Sequence, residues 1–136
     1  MRVLVTGFFD LMHTGHLKFL KKASKYGELY VNIGNDLNMK EQKDRTPIFN
    51  ELEREEMLNA LEFVKRAFVS KRIGFLDFEE AIDLIKPDLF CINSDGDTEE
   101  KRELCKRKNI EYIVLFDRPE DSISSTKIRE KIKNEM

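Results

Sequence analysis

Two histidines, His13 and His16, are the only histidines among the 136 residues of the chain. They lie between an apolar run and the first amphipathic segment, in the stretch Thr6-Gly7-Phe8-Phe9-Asp10-Leu11-Met12-His13-Thr14-Gly15-His16. Residues three apart on a helix project from the same side. Imidazoles at a helix N-terminus can donate hydrogen bonds to phosphate oxygens that gain charge in a transition state. The simpler interpretation is a pair of capping or surface histidines.

The glycines of the same stretch favour the binding of an anion. Gly7 lets the backbone approach a phosphate closely, and Gly15 removes a side chain where a helix begins. The N-terminus of that helix adds free N–H groups and the positive end of its dipole. A zinc site is the weaker interpretation, because the sequence has no third histidine and no cysteine pattern to complete a ligand set.

A second group of polar residues lies near the other end of the chain, in Ile123-Ser124-Ser125-Thr126-Lys127-Ile128-Arg129. The three hydroxyls precede a helix with Ile128 and Ile132 on one face. They can cap this helix or, together with its N–H groups, hold a phosphate. Capping needs one hydroxyl of the three, so it accounts for the segment poorly.

Apolar β-rich runs alternate with helical runs along the whole chain. Strands are predicted at Arg2–Thr6, Leu29–Ile33, Ala67–Ser70, Asp88–Asn93 and Ile110–Phe116. Helices are predicted at His16–Tyr26, after the cap residues Asn50, Asp77 and Asp97 (each with a glutamate three residues later), and from Ser124 or Ser125. This alternation predicts an α/β fold: a Rossmann-like three-layer sandwich with a five-stranded parallel sheet, in a single domain over residues 1–136.

Ligands of such sheets bind at the carboxyl ends of the strands, where the strand order reverses. The loops expected at that edge are Gly7–Gly15, Gly34–Pro47, Ser94–Asp97 and Asp117–Ser124. They contain most of the residues that could do chemistry, so the sequence predicts the functional site there.

Composition narrows the class of protein further. A net charge of −2 argues against general nucleic-acid binding, which needs a large basic surface. No apolar run approaches the roughly 20 residues that span a membrane, and the N-terminus shows no cleavable signal pattern. Cys91 and Cys105 form no metal or redox motif. These features predict a soluble protein of the reducing cytoplasm.

The first stretch resembles the (G/S)-x-F-D-x-x-H-x-G-H signature of the cytidylyltransferase-like nucleotidyltransferases, and the second is similar to their I-S-(T/S)-(T/S)-x-I-(R/K) signature. That family includes glycerol-3-phosphate and phosphoethanolamine cytidylyltransferases and heptose-phosphate adenylyltransferases. The resemblance implies that His13 and His16 contact the triphosphate and stabilise the departing pyrophosphate. It also implies a nucleotide site lined by Thr6, Gly7, Phe8, Phe9, Asp10, Gly15, Ile123, Ser124, Ser125 and Thr126.

The resemblance extends to three cationic positions. A family lysine in the loop after the second strand matches Lys43 best, with Lys40 as the alternative and a solvated surface lysine as the simpler interpretation. Arg54 and Arg118 match family arginines and are expected to contact phosphate. The role of Asp10 stays open between holding the phosphate-loop backbone, lying near a magnesium ion, and capping a helix.

The chain departs from the family pattern in two stretches, of which the first lacks an arginine expected to contact phosphate and the second concerns the acceptor. Family members often have Arg-Tyr-Val-Asp where this chain has Glu62-Phe63-Val64-Lys65, and Gly-x-Asp-Trp or Gly-Gly-Asp-Tyr where it has Asn93-Ser94-Asp95-Gly96-Asp97. The second loop should border the acceptor or base pocket. Asp95 and Asp97 are therefore candidate acceptor contacts, or else a turn residue and a helix cap.

The resulting expectation is an enzyme that transfers CMP from CTP to a phosphorylated small molecule resembling glycerol phosphate or phosphoethanolamine, with release of pyrophosphate. Mg²⁺ is expected to accompany the triphosphate, and the resemblance implies a homodimer. The close alternative is an adenylyltransferase that uses ATP on a sugar phosphate such as heptose phosphate. Alternatives of another class are a nucleotide-binding regulatory module without turnover and a flavodoxin-like electron carrier.

Overall fold

The structure of the chain, a computed structural model, describes residues 1–115 and 125–135, with residues 125–127 described by their backbone alone. Five parallel strands form one sheet in the order β3-β2-β1-β4-β5. Their bounds are β1 Arg2–Gly7, β2 Glu28–Ile33, β3 Arg66–Val69, β4 Leu89–Ile92 and β5 Glu111–Val114. All five predicted strands are confirmed, with ends that differ by one or two residues.

The helices lie between the strands. Their bounds are α1 Thr14–Ser24, α2 Asp36–Lys43, α3 Glu51–Asn59, α4 Glu79–Ile85, a short 3₁₀ helix Ser94–Gly96, α5 Glu99–Arg107 and α6 Ser125–Glu135. None of the helices within the described ranges is long and apolar enough to cross a membrane.

Two hydrophobic clusters cover the two faces of the sheet. Alternation along β1 sends Val3 and Val5 to one cluster and Leu4 to the other. The first cluster includes the apolar residues of α1 and α3, such as Leu20 and Leu58, and the second includes those of α4 and α5, such as Ile82 and Leu104. The fold is therefore the predicted three-layer Rossmann-like sandwich, with α1 and α5 on opposite faces.

The stretch Gly34–Pro47, predicted as a loop, instead contains helix α2. The Asn35 side chain caps it by accepting a 2.7 Å hydrogen bond from the Asn38 N–H, and Met39 is fully buried beneath it. A single apolar anchor leaves no periodic pattern, so hydrophobic periodicity does not reveal this helix. Asp44 ends it in the left-handed conformation.

The three predicted capping boxes have different outcomes. The box of Asn50 and Glu53 is confirmed, with reciprocal hydrogen bonds of 2.8 and 3.2 Å. The other two predictions are wrong: Phe78 precedes α4 with no side-chain cap, and Thr98 caps α5 in place of Asp97. Asp77 and Asp97 instead use their carboxylates in contacts at the carboxyl edge of the sheet.

The strand order reverses between β1 and β4. From β1 the chain builds outward through β2 to β3, then crosses back to place β4 on the other side of β1. The loops that follow β1 and β4 therefore diverge and open a crevice at the carboxyl edge. The two histidines follow β1, and the 3₁₀ helix follows β4.

Candidate functional site

His13 and His16 lie together at the N-terminus of α1. Nδ1 of His13 accepts a hydrogen bond from the Gly15 N–H at 3.0 Å, and Nδ1 of His16 accepts one from the His13 N–H at 3.2 Å. The ring centroids are 4.0 Å apart. A neutral ring whose Nδ1 accepts carries its hydrogen on Nε2. The capping geometry therefore fixes both imidazoles in the tautomer that donates from Nε2.

The two phenylalanines before the histidines fix the course of this loop. Phe9 is buried, adopts φ +53°, and its ring lies edge-on to the ring of His16 at 5.5 Å between centroids. A Cβ on Gly7 would lie 2.9 Å from the Phe9 ring, and one on Gly34 would lie 2.3 Å from the Phe8 ring. Gly7, at the end of β1, therefore leaves space for the Phe9 ring, and Gly34, just after β2, leaves space for the Phe8 ring.

Asp10 joins three distant segments beneath the histidines. Its buried carboxylate accepts hydrogen bonds from the N–H of Ile48 at 2.9 and 3.0 Å and from the N–H of Phe49 at 2.9 Å. It also forms an ion pair with Arg129 of α6. Asp10 therefore holds the backbone before α3 and the C-terminal helix against the histidine loop.

Arg54 of α3 is fully buried and performs a similar function for the loops after β1 and β2. It donates to the carbonyls of Phe8 and Gly34, both at 2.7 Å, to the carbonyl of Phe49 at 3.0 Å, and to the Asp36 carboxylate at 2.7 Å. The sequence predicts a phosphate contact for Arg54. Its geometry favours a positioning role, because these hydrogen bonds are made to the protein itself.

A polar network that was not predicted from the sequence joins Asn32 of β2 to Thr6 of β1 and to Asp77. The buried Asn32 amide donates to Thr6 Oγ1 at 2.9 Å and to Asp77 Oδ2 at 3.4 Å. Burial raises the pKa of Asp77 to about 6, against hydrogen bonds and the nearby Lys101 charge, which lower it. The available signal was an asparagine inside the apolar run Leu29–Ile33, because a buried amide needs partners.

Three lysines border the crevice or lie near it. Lys43 is the last residue of α2, whereas Lys40 is exposed and pairs with Asp44 at 3.6 Å. Nζ of Lys101, in α5, donates to the Gly96 carbonyl at 2.8 Å. Burial lowers the pKa of Lys101, the charge of Asp77 raises it, and the charge of Lys43 lowers it further. Lys101 was not among the predicted site residues.

The two candidate acceptor contacts lie in the segment after β4. The Asp97 carboxylate accepts from Arg102 Nε and Nη2 at 2.8 and 2.6 Å and from the Tyr112 hydroxyl at 2.8 Å, and these bonds lower its pKa, the Arg102 contact most. Asp97 therefore joins the start of α5 to β5. Asp95 lies in the 3₁₀ helix at the crevice.

The second motif is described in part. Ser125 and Thr126 begin α6, which the Arg129 ion pair ties to Asp10. The predicted contacts Arg118, Ile123 and Ser124 lie outside the described residues. Within the described ranges, no three His, Cys, Asp or Glu side chains lie together as a metal site.

A doubly wound parallel sheet with two Nε2 donors at the N-terminus of its first helix defines a nucleotide-handling α/β protein. A family model described as Cytidylyltransferase-like matches residues 4–131, so the chain belongs to the cytidylyltransferase-like family. This confirms the predicted family and fold, and the chain is an enzyme of the nucleotidyltransferase type.

Several known proteins are similar to this chain over most of its length. The FAD synthase of Thermococcus sibiricus is 33% identical over 138 residues, which cover 97% of this chain and 92% of that protein. The FAD synthase of Pyrococcus horikoshii is 36% identical over 143 residues, which cover 97% of this chain and 92% of that protein. A crystal structure of the lipopolysaccharide core biosynthesis protein from Thermoplasma volcanium has a TM-score of 0.75 and 28% identity, covering 88% of this chain and 98% of that one.

Proposed function

We propose that this enzyme transfers AMP from ATP to flavin mononucleotide (FMN), forming FAD and pyrophosphate. The observation that carries the proposal is the nearly full-length similarity to proteins named FAD synthase, at 33–36% identity over 97% of this chain. ATP therefore replaces the CTP expected from the sequence as the proposed nucleotide. The cytoplasmic location and the homodimer remain predictions.

The proposed step is a direct in-line displacement. A phosphate oxygen of FMN attacks the α-phosphorus of ATP. The bond from that phosphorus to the α,β-bridging oxygen breaks, and pyrophosphate leaves with the electron pair. The attacking phosphate oxygen is already anionic, so no general base is required. Catalysis then depends on positioning and charge neutralisation.

The residues on α1 and α2 suit this chemistry. His13 and His16 donate from Nε2 to oxygens of the leaving pyrophosphate, and the N-terminus of α1 adds its N–H groups. Their donors are oriented before the nucleotide binds, because backbone hydrogen bonds hold both Nδ1 atoms. Lys43 is the proposed cation for the α-phosphate. ATP enters as its magnesium complex, so the metal arrives with the substrate.

A second candidate is transfer to a different phosphorylated acceptor. The fold similarity to a lipopolysaccharide core biosynthesis protein favours ATP with a sugar phosphate such as heptose phosphate. CTP with glycerol phosphate or phosphoethanolamine is the pair expected from the sequence signatures. Both share the proposed mechanism and differ in the base and acceptor pockets.

The test is a matrix of ATP and CTP against FMN, heptose phosphate, glycerol 3-phosphate and phosphoethanolamine, with pyrophosphate release and the nucleotide product both measured. We expect ATP with FMN to give FAD and pyrophosphate in equal amounts. His16→Ala is the matched control against a contaminating activity. Turnover of CTP with glycerol phosphate and none of ATP with FMN refutes the proposal. Tight ATP binding without turnover of any pair supports the regulatory module.

A further inference from the structure

Phe75 is an exposed aromatic residue at the carboxyl edge of the sheet. It lies in the segment between β3 and α4 and is 47% exposed. The Lys101 ammonium lies over one face of its ring, 5.2 Å from the centroid, and donates to the Gly96 carbonyl in the 3₁₀ helix. Phe75 therefore lies beside the segment that follows β4, at the crevice, and the other face of its ring is open.

Hydrogen bonds from side chains fix the segment that carries Phe75. The Asn38 side chain exchanges two of them with the backbone of Gly74, accepting from its N–H at 2.7 Å and donating to its carbonyl at 3.2 Å. Ser70 Oγ donates to the Asp77 carbonyl at 3.0 Å and so ties the two ends of the segment together. Gly74 adopts φ +121°, which favours glycine. Because the ring is held on an ordered support, a ligand that binds to it loses little entropy in ordering the segment.

The same segment is connected to the proposed active site. Asp77 follows Phe75 by two residues and accepts a hydrogen bond from the Asn32 amide, which also donates to Thr6 near the end of β1. Helices α4 and α5 cover the face of the sheet opposite α1, which carries the two histidines. In an in-line displacement the attacking and leaving oxygens lie on opposite sides of the α-phosphorus. Phe75 therefore lies on the side expected for the acceptor.

We propose that Phe75 forms the wall of the acceptor pocket on which the isoalloxazine ring of FMN stacks. The inference rests on the proposed transfer of AMP to FMN. An isoalloxazine is planar and aromatic, and stacking on an aromatic side chain stabilises such a ring without requiring a polar partner. A sugar phosphate has no planar ring to place there. Phe75 therefore favours a flat aromatic acceptor over a sugar phosphate.

The direct test uses tryptophan as a probe, because the chain contains none. A tryptophan stacked on an isoalloxazine quenches its fluorescence by electron transfer, an effect that falls steeply with distance. Phe75→Trp should therefore quench most of the fluorescence of bound FMN, with α,β-methylene ATP present so that no AMP is transferred. Ile73→Trp is the matched control. Ile73 is exposed in the same segment but lines a cavity with Leu37 and Val69, on the α2 side, so this variant should leave most of the fluorescence.

Steady-state kinetics provides a second readout. Phe75→Ala should raise the KM for FMN about fivefold to 100-fold, the range expected for the loss of one aromatic stack. Phe75→Tyr keeps the ring and should keep the KM for FMN, as should Ile73→Ala, and the KM for ATP should stay unchanged in all three variants. An unchanged KM for FMN in Phe75→Ala overturns the inference, as does a rise in the KM for ATP alone. The tryptophan pair keeps the test independent of any loss of stability in Phe75→Ala.

The inference and the proposed function fail in different ways. FAD formation by the wild-type protein, together with equal quenching in Phe75→Trp and Ile73→Trp, overturns the stacking of FMN on Phe75 and leaves the proposed function standing. Quenching confined to Phe75→Trp, without FAD formation by the wild-type protein, supports the stack and refutes the proposed transfer. A wild-type protein that neither forms FAD nor binds FMN in ultrafiltration refutes both.

Discussion

The sharpest prediction concerns Asp77, whose carboxylate is buried beside Asn32 at the carboxyl edge of the sheet. Asp77→Asn removes the charge and keeps an oxygen that can accept the hydrogen bond from the Asn32 amide. The substitution therefore isolates the effect of ionisation. Asp83→Asn is the matched control, because Asp83 is exposed and pairs with Lys108 at the surface.

The magnitude follows from the pKa of Asp77. Burial raises it from 3.8 to about 6, so the folded state holds the proton more tightly than the unfolded state does. The stability that this provides is present below about pH 4 and is lost as the pH rises through about 6. Two pKa units correspond to about 3 kcal/mol. Asp77→Asn should therefore raise the free energy of unfolding at pH 8 by about 2–3 kcal/mol.

The assay is urea unfolding of the wild-type protein and both variants at several values between pH 4 and 8. The gap between wild type and Asp77→Asn should open between about pH 4 and 6 and then stay constant. Asp83→Asn should remain within about 0.5 kcal/mol of wild type at pH 8. Parallel pH profiles for wild type and Asp77→Asn would show that the carboxylate is solvated and would refute the reasoning.

Four further outcomes test the site. His16→Ala should lower kcat about 10²–10³-fold with a smaller change in ATP affinity. Full activity of this variant would refute the proposed role of His16. In Lys43→Ala, kcat should fall far more than ATP affinity, whereas Lys40→Ala should stay active. An active Lys43→Ala with an inactive Lys40→Ala would assign the role to Lys40. Arg54→Lys should lower the free energy of unfolding by about 3 kcal/mol, and an unchanged urea midpoint would contradict its hydrogen-bond network. Excess chelator should abolish turnover, because the proposed substrate is the magnesium complex of ATP.

The strands were predictable because each is a short apolar run between polar residues, a pattern that depends on local sequence alone. The capping motifs were less specific. Asn50, Asp77 and Asp97 all precede a glutamate by three residues, yet only Asn50 among them caps a helix. The Asp77 carboxylate instead accepts a hydrogen bond from Asn32, and the Asp97 carboxylate accepts one from Tyr112, so tertiary contacts decide between equivalent local patterns.

The histidines were predictable from their spacing and their flanking glycines, whereas the groups that position them were not. Asp10 contacts backbone 38 and 39 residues away, and Arg54 contacts the Phe8 carbonyl 46 residues away. Contacts of this range leave no periodic trace in a single sequence. The contact of Lys101 with the Gly96 carbonyl was not predicted either, because a lysine within Glu99-Glu100-Lys101-Arg102 resembles the solvated face of a charged helix.

Asp10 and Arg54 together explain how the proposed donors, His13 and His16, are held in position before a substrate binds. Asp10 ties the histidine loop to the segment before α3, and Arg54 ties the same loop to the end of β2 and to Phe49 of that segment. Preorganised donors stabilise transition-state charge without reorganising during the reaction. Loosening either residue should therefore lower kcat by displacing His13 and His16, although neither side chain needs to touch the nucleotide. In Arg54→Lys, kcat should fall to the extent that the histidine loop becomes more mobile, while ATP affinity stays largely unchanged. This combination is the behaviour expected of a positioning residue.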